Sequence, residues 1–333
     1  MLFTIRIAFS ALQERMKKQL KTSPRKNGML SEAVSVFLGI KDVEFVPSLL
    51  CCNSLLNDLI KGNRLDMFWS VYNTMVEKKI APDVYTCTNV IKAYCKSGNA
   101  REARKLLFEM SEEGCIPNLV TYNVVIRGLC GSGLVEEAVE LNKTMVEKGL
   151  RPDSYTYASL IYGICKQKRS KEAMLILKEM CEMGLKPNAF AYTPLIGGFM
   201  REGDIEEALK IKDEMVAHGI NLNLVTYNIM LNGLCKVGQM EEAINLKAEM
   251  VAMGLCPETK TYNYLIEGYC LQNNMEKACE ILVEMKERNL EPNAYTYGIL
   301  INRFCLTGDP NKAIHLLDQM IDAEMHVARC LLL

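Results

Sequence analysis

The sequence predicts an all-α fold, an α-solenoid of stacked helix-turn-helix repeats 35 residues long. Three columns of identical residues predict it. Tyr122, Tyr157, Tyr192, Tyr227, Tyr262 and Tyr297 follow one another at intervals of 35. Methionine keeps the same interval from Met75 to Met320, and alanine from Ala103 to Ala313. A fixed period of roughly 20 to 50 residues means one supersecondary unit stacked on copies of itself, each burying its apolar face on the next. The columns place seven repeats at 49–83, 84–118, 119–153, 154–188, 189–223, 224–258 and 259–293, with a final partial copy at 294–328. A degenerate copy fills 14–48, where Gly28, Ala33 and Pro47 share columns with Gly98, Ala103 and Pro117. Outside the array lie a basic leader, 1–13, and a tail, 329–333.

The copy from Leu119 to Asp153 shows why each unit is two helices. Tyr122, Val125, Ile126 and Leu129 step by three, one and three, the stripe of an amphipathic helix. Gly131, Ser132 and Gly133 break it. Glu136 and Glu137 then open a second helix, where acids suit the positive end of the helix dipole, and Ala138, Leu141 and Met145 form its buried stripe. Gly149 is placed to end that helix through a left-handed cap, and Pro152 cannot continue it. The alanine column has a steric reason, since two helices approach closely only where a side chain is small. The Tyr, Met and Ala columns therefore read as core.

Composition sets further bounds. At 49% hydrophobic and 24% charged, the chain has ample apolar material to stack helices, and its net charge of -1 argues against a sequence-blind nucleic-acid binder without excluding one that reads bases. Of fourteen cysteines, Cys95, Cys130, Cys165, Cys235, Cys270 and Cys305 share one column beside the apolar stripe, where cysteine serves as a small hydrophobe. There is no Cys-x-x-Cys pair, and His218, His315 and His326 lie near no cysteine cluster, so neither metal nor cofactor is expected. Reduced thiols fit an intracellular compartment. No stretch is long and apolar enough to span a bilayer. The first 30 residues set Arg6, Arg15, Lys17, Lys18, Lys21, Arg25 and Lys26 against the single acid Glu14. That is the style of an organelle presequence, with a basic terminal helix as the alternative. Cys330 to Leu333 formally fit a prenylation box but lack a polybasic run upstream, and the match reads as accidental.

In a repeat array, function belongs to exposed positions that vary between copies. The second, fifth, ninth and thirteenth places of the first helix share one stripe, and the sequence reading puts that stripe on an exposed face. Fifth-place residues are Asn53, Thr88, Asn123, Ala158, Thr193, Asn228 and Asn263, mostly able to donate and accept hydrogen bonds toward a base edge. Second-place residues are Leu50, Tyr85, Val120, Tyr155, Phe190, Val225 and Tyr295, flat or apolar enough to sandwich a base, with Lys260 the exception. Lys61, Lys96, Lys166, Arg201 and Lys236 form a line of cations at the thirteenth place. Each column has a plainer explanation: Asn and Thr cap helix starts, and lysine suits a helix C-terminus. Their coincidence on one face favours a binding surface.

The segments Leu119-Val120-Thr121-Tyr122-Asn123, Gly128-Leu129-Cys130, Glu136-Glu137-Ala138 and Gly149-Leu150-Arg151-Pro152-Asp153, echoed over nearly the whole chain, resemble the P class of pentatricopeptide repeat proteins, a large plant organellar family. The resemblance implies a right-handed superhelix that binds single-stranded RNA, one base per repeat, with the RNA running 5′ to 3′ as the protein runs N to C. It implies that the fifth and last residues of a repeat select the base. Asn53 with Asp83 then implies U, Thr88 with Asn118 A, and Asn123 with Asp153 U. Ala158 with Asn188 is unassigned, Thr193 with Asn223 implies A, Asn228 with Glu258 a pyrimidine, and Asn263 with Asn293 C. The implied target is U-A-U-N-A-Y-C. Gly298 with Ala328 and Lys18 with Ser48 give no assignment. The thirteenth-place cations would contact phosphates. An organellar transcript is the implied partner, together with protein factors of RNA processing, but neither DNA nor membrane; the compartment is the mitochondrion, with the chloroplast as the alternative. The implied work is RNA processing, stability, splicing or translation without catalysis, for the chain has no His-x-Glu with a downstream Cys-x-x-Cys and no phosphate loop. A protein-binding scaffold of the tetratricopeptide kind is the alternative, although it lacks the Tyr-Asn start and Pro-Asp ending found here.

Overall fold

The computed structural model describes residues 26–39, 47–112 and 114–322. The leader, most of the degenerate copy, the tail and the prenylation-like terminus lie outside the described residues. Among the described residues the secondary structure is entirely α-helical. In chain order the helices are α1 (Lys26–Leu38), α2 (Leu49–Lys61), α3 (Leu65–Glu77), α4 (Val84–Lys96), α5 (Ala100–Glu112), α6 (Leu119–Gly131), α7 (Val135–Glu147), α8 (Ser154–Lys166), α9 (Ser170–Glu182), α10 (Ala189–Glu202), α11 (Ile205–Ala217), α12 (Leu224–Val237), α13 (Met240–Ala252), α14 (Thr259–Leu271), α15 (Met275–Glu287), α16 (Ala294–Leu306) and α17 (Pro310–Asp322). The protein is thus an all-α helical-repeat solenoid. None of the described helices is long and apolar enough to cross a membrane.

The chain divides into two compact units, residues 1–163 and 164–333. In the first unit α2 packs on α3, α4 on α5 and α6 on α7, while α2, α4 and α6 also pack on one another in turn. In the second unit α10, α12, α14 and α16 do the same, each also against its own second helix. First helices therefore stack on one another as a seam within each unit.

The columns explain this stacking. The methionines from Met75 to Met320 and the alanines from Ala103 to Ala313 are all buried, as is each tyrosine of the column. Helix ends are set by backbone geometry: Gly149 holds φ at +80°, the left-handed conformation that closes α7. At the ends of first helices Gly133 holds φ at +79°, whereas Lys168 and Asn273 occupy the same column at φ of 60° and 59°. Side chains there bear some strain, which asparagine tolerates best.

The cysteine column is tied to a glycine column two places earlier in the next repeat. A Cβ on Gly163 would lie 2.7 Å from both Cβ and Sγ of Cys130, and one on Gly268 would lie 2.8 Å from Cβ of Cys235. Glycine weakens a helix interior, but here it lets the next first helix settle onto a small side chain. Burial pushes the thiols of Cys95, Cys130, Cys165, Cys235 and Cys270 up to about 12, so they stay protonated and unreactive at neutral pH. Cys305 departs from the column and is exposed, because no further first helix packs on α16 among the described residues.

Candidate nucleic-acid interface

The last residue of one repeat is the N-cap of the next first helix. Asp83 Oδ1 accepts from the backbone N of Thr86 at 2.7 Å, and Asp153 Oδ1 from that of Thr156 at 2.9 Å. Asn118, Asn223 and Asn293 cap Thr121, Thr226 and Thr296 in the same way. Asn188 differs in reaching the backbone N of Phe190, and at Ala191 the usual threonine is missing. An oxygen at the N-cap satisfies one of the amide groups that a helix start leaves without a partner.

The third-place threonine then joins neighbouring repeats. Its hydroxyl donates to the fifth-place amide oxygen of the preceding repeat: Thr86 to Asn53 at 2.7 Å, Thr156 to Asn123 at 2.6 Å, Thr261 to Asn228 at 2.8 Å and Thr296 to Asn263 at 2.7 Å. The amides of Asn53 and Asn123 also donate to Asp83 Oδ1 and Asp153 Oδ1, each at 3.1 Å. Where the fifth place is threonine, two hydroxyls meet, Thr88 with Thr121 at 3.0 Å and Thr193 with Thr226 at 2.8 Å. Thr88 spends its single hydrogen on the Val84 carbonyl at 2.6 Å, so it can only accept from Thr121. Burial works to raise the Asp83 carboxyl, yet hydrogen bonds from Thr86 and Asn53 outweigh it and hold the group below its ordinary value.

This network corrects the expectation that the fifth place is exposed. Asn53, Thr88, Asn123, Ala158, Asn228 and Asn263 are buried, and Thr193 is half-buried. First helices pack against each other along this line, so one edge of each fifth-place residue faces the neighbouring helix. The second place is different: Leu50, Tyr85, Val120, Tyr155, Phe190, Val225 and Tyr295 are all exposed, from 48% for Tyr85 to 80% for Leu50. Lys260 is exposed too.

All five thirteenth-place cations are exposed, but two already have backbone partners. Lys96 Nζ donates to the Ile60 carbonyl at 2.6 Å and Arg201 to the Cys165 carbonyl at 3.2 Å. Each serves the C-terminal end of the preceding first helix, where carbonyls lack helical partners. The plainer reading of the cations as partners of a helix C-terminus thus holds for these two, across repeats rather than within one. Lys61 lies 4.0 Å from Asp58.

Sequence reasoning missed the third-place threonines and the N-cap role of the last residue. The spacing Asp-x-x-Thr, at Asp83 to Thr86 and again at Asp153 to Thr156, was the available signal, since it is the spacing of a capping box.

Second helices carry a separate polar layer. Buried Tyr192, Tyr227 and Tyr262 donate their hydroxyls to Glu214, Glu249 and Glu284 at 2.9, 3.0 and 3.0 Å. Burial first, and those carboxylates second, push Tyr227 and Tyr262 up to about 12. Lys212 pairs with Glu249 and Lys247 with Glu284, both at 2.8 Å. Among the described residues no group of three or more His, Cys, Asp or Glu could hold a metal ion.

Known proteins share the array. The PPR repeat family model matches residues 47–93, 83–131, 117–166, 158–201, 188–236, 222–270 and 257–306, and a PPR repeat matches 295–325. Two Arabidopsis thaliana pentatricopeptide repeat-containing proteins are similar over short stretches: a mitochondrial one is 46% identical over 54 residues, 16% of this chain and 6% of that protein, and another 36% over 52 residues, 16% and 11%. The chain thus spans a small part of these curated relatives. Among solved structures, the pentatricopeptide repeat protein PPR10 from maize aligns over 96% of this chain and 57% of its own, with TM-score 0.60 and 19% identity. PPR10 in complex with an 18-nt psaJ RNA element aligns over 98% and 58%, with TM-score 0.55 and 20% identity. Yeast Rmd9p in complex with a 16-nt target RNA aligns over 90% and 76%, with TM-score 0.51 and 11% identity. With its repeats matched from residue 47 to 325, the chain belongs to the PPR repeat family.

Proposed function

We propose that this protein binds single-stranded RNA in a sequence-specific manner, one base per repeat, and acts by occupying a transcript. The observation that carries the reading is the linked triad of fifth-place residue, last-place cap and third-place threonine, set beside an exposed second-place side chain in repeat after repeat. RNA complexes of two structural neighbours, PPR10 and Rmd9p, support it from outside the chain.

The hydrogen-bond inventory supports the base choices. In the Asn53 and Asn123 repeats one amide hydrogen goes to the carboxylate, leaving a second to donate outward and a carboxylate oxygen to accept. A uracil edge has carbonyl acceptors beside an N–H donor and fits that pair. At Thr88 no donor remains, and its lone pair with the Asn118 amide suits adenine, which offers an amino donor beside a ring acceptor. Second-place aromatic and aliphatic groups would stack on the faces of the bases. The proposed target remains U-A-U-N-A-Y-C, with phosphates met by the thirteenth-place cations.

The process served is organellar RNA processing, stability, splicing or translation, in the mitochondrion by preference over the chloroplast. The name of one Arabidopsis relative supports that compartment. The test is equilibrium binding of labelled heptamers. Matched RNA should outcompete RNA changed at one base by about 1 to 3 kcal/mol per lost hydrogen-bonded contact. Asn123→Ala and Asn263→Ala should erase preference at the third and seventh bases; unchanged discrimination in both variants would sink the assignment.

A further inference from the structure

We infer that Lys92 and Arg127, at the ninth place of α4 and α6, are additional RNA phosphate contacts that concentrate electrostatic grip in the N-terminal unit. The inference rests on the RNA-binding reading above and adds two residues to that site.

The ninth place lies in the same lane as the second, and ninth places of neighbouring repeats touch. Lys92 Nζ sits over the Tyr85 ring, 5.8 Å from its centre, and Tyr85 is the second-place residue of the same helix. The Arg127 guanidinium lies 4.4 Å from the centre of the Tyr162 ring, the ninth-place residue one repeat later. In the second unit, burial first and the charge of ninth-place Glu267 second push the hydroxyl of second-place Tyr295 up, which sets the two side chains near each other. A side chain at this place therefore lies beside the surface on which bases would stack.

Charge pairing then separates these two cations from three on the second helices. Arg104, Lys212 and Lys247, on second helices, all have carboxylate partners. Neither Lys92 nor Arg127 has a carboxylate within 4 Å among the described residues. Lys92 is instead half-buried, holds only the Asn89 amide oxygen at 3.4 Å, and feels the charge of Lys61 in the preceding repeat. Burial first, and Lys61 second, make its charged form less favourable than in water. An anion between Lys61 and Lys92 relieves both penalties. Arg127 stacked on Tyr162 keeps its outward N–H groups for a phosphate, a use to which a planar guanidinium is suited. The second unit offers nothing equivalent, with Gly197, Asn232, Glu267 and Asn302 at its ninth places.

The experiment is binding of RNA carrying U-A-U-N-A-Y-C over a roughly tenfold range of KCl, since each phosphate neutralised on a single strand contributes about 0.7 to the slope of log affinity against log salt. Lys92→Gln with Arg127→Gln should flatten that slope by about 1.4 and leave base preference intact, and Asn232→Lys should steepen it by about 0.7. Replacing the linkages among the first three nucleotides by neutral methylphosphonates should weaken wild-type binding and make Lys92→Gln silent. A wild-type slope in the double variant, with discrimination retained, overturns the assignment alone. Failure of the wild-type protein to prefer matched RNA at any salt overturns the functional reading and this inference with it.

Discussion

The two compact units are built on one repeat and share the threonine bridge between first helices, yet they differ in the polar links added to it. In the N-terminal unit, Asn53 and Asn123 each also close onto the aspartate that ends their own repeat, while on the second helices Arg101 and Arg104 pair with Glu137 and Glu140 of the next repeat. In the C-terminal unit Glu258 and Asn293 stand in place of aspartate, the threonine bridges persist, and the second helices add chains that reach the tyrosine column, through Lys212 to Glu249 to Tyr227 and Lys247 to Glu284 to Tyr262. The N-terminal unit shows what one missing glutamate costs. Thr144 occupies the place of those glutamates, and the buried Tyr122 hydroxyl finds no partner. One apolar frame thus tolerates two polar solutions, because the frame sets the spacing and the polar residues need only meet in pairs.

Glycine substitutions test the frame, where the units are alike. Gly163→Ala and Gly268→Ala each press a methyl group into Cys130 or Cys235, and each should cost about 1 to 3 kcal/mol by thermal or denaturant unfolding. A clear difference between them would mean that the units do not share one packing rule. Next in size is Lys247→Met, which strips Glu284 of its closest cation; with both side chains largely buried, a loss of about 1 to 2 kcal/mol is expected. The same ladder can be moved across. Thr144→Glu should give Tyr122 its acceptor and stabilise the protein by about 0.5 to 1.5 kcal/mol, an effect that Tyr122→Phe in the same background should abolish. The smallest effect is on pH dependence. Because the folded Asp83 carboxyl lies below its ordinary value, its contribution is present above the unfolded pKa of about 3.9 and is lost as pH falls through that value and below. Asp83→Asn should therefore lower the neutral plateau slightly and flatten the acid limb of a stability curve below about pH 4, seen by circular dichroism.

The period made the solenoid legible, since Tyr, Met and Ala columns can recur at 35 residues only if the same contacts recur. Helix ends were legible for a similar reason, as Gly149 shows. The fifth place was not. A stripe of places two, five, nine and thirteen identifies a side of one helix, but not how far the next helix overlaps it. Amides read as solvent-facing unless a partner is found, and the partner of Asn123 is Thr156, 33 residues away on another helix. Lys96 and Arg201 were obscured in the same way, because their acceptors are carbonyls that any residue could supply.

The threonine bridge has a consequence for anyone who would rewire this protein. Thr156 belongs by numbering to the copy after Asn123, yet it fixes the orientation of that amide. The physical reading head therefore straddles the formal boundary, and a cassette cut at every thirty-fifth residue carries away a side chain without the hydroxyl that aims it. Grafts that begin after the third-place threonine should transplant specificity more faithfully than grafts that begin before the first.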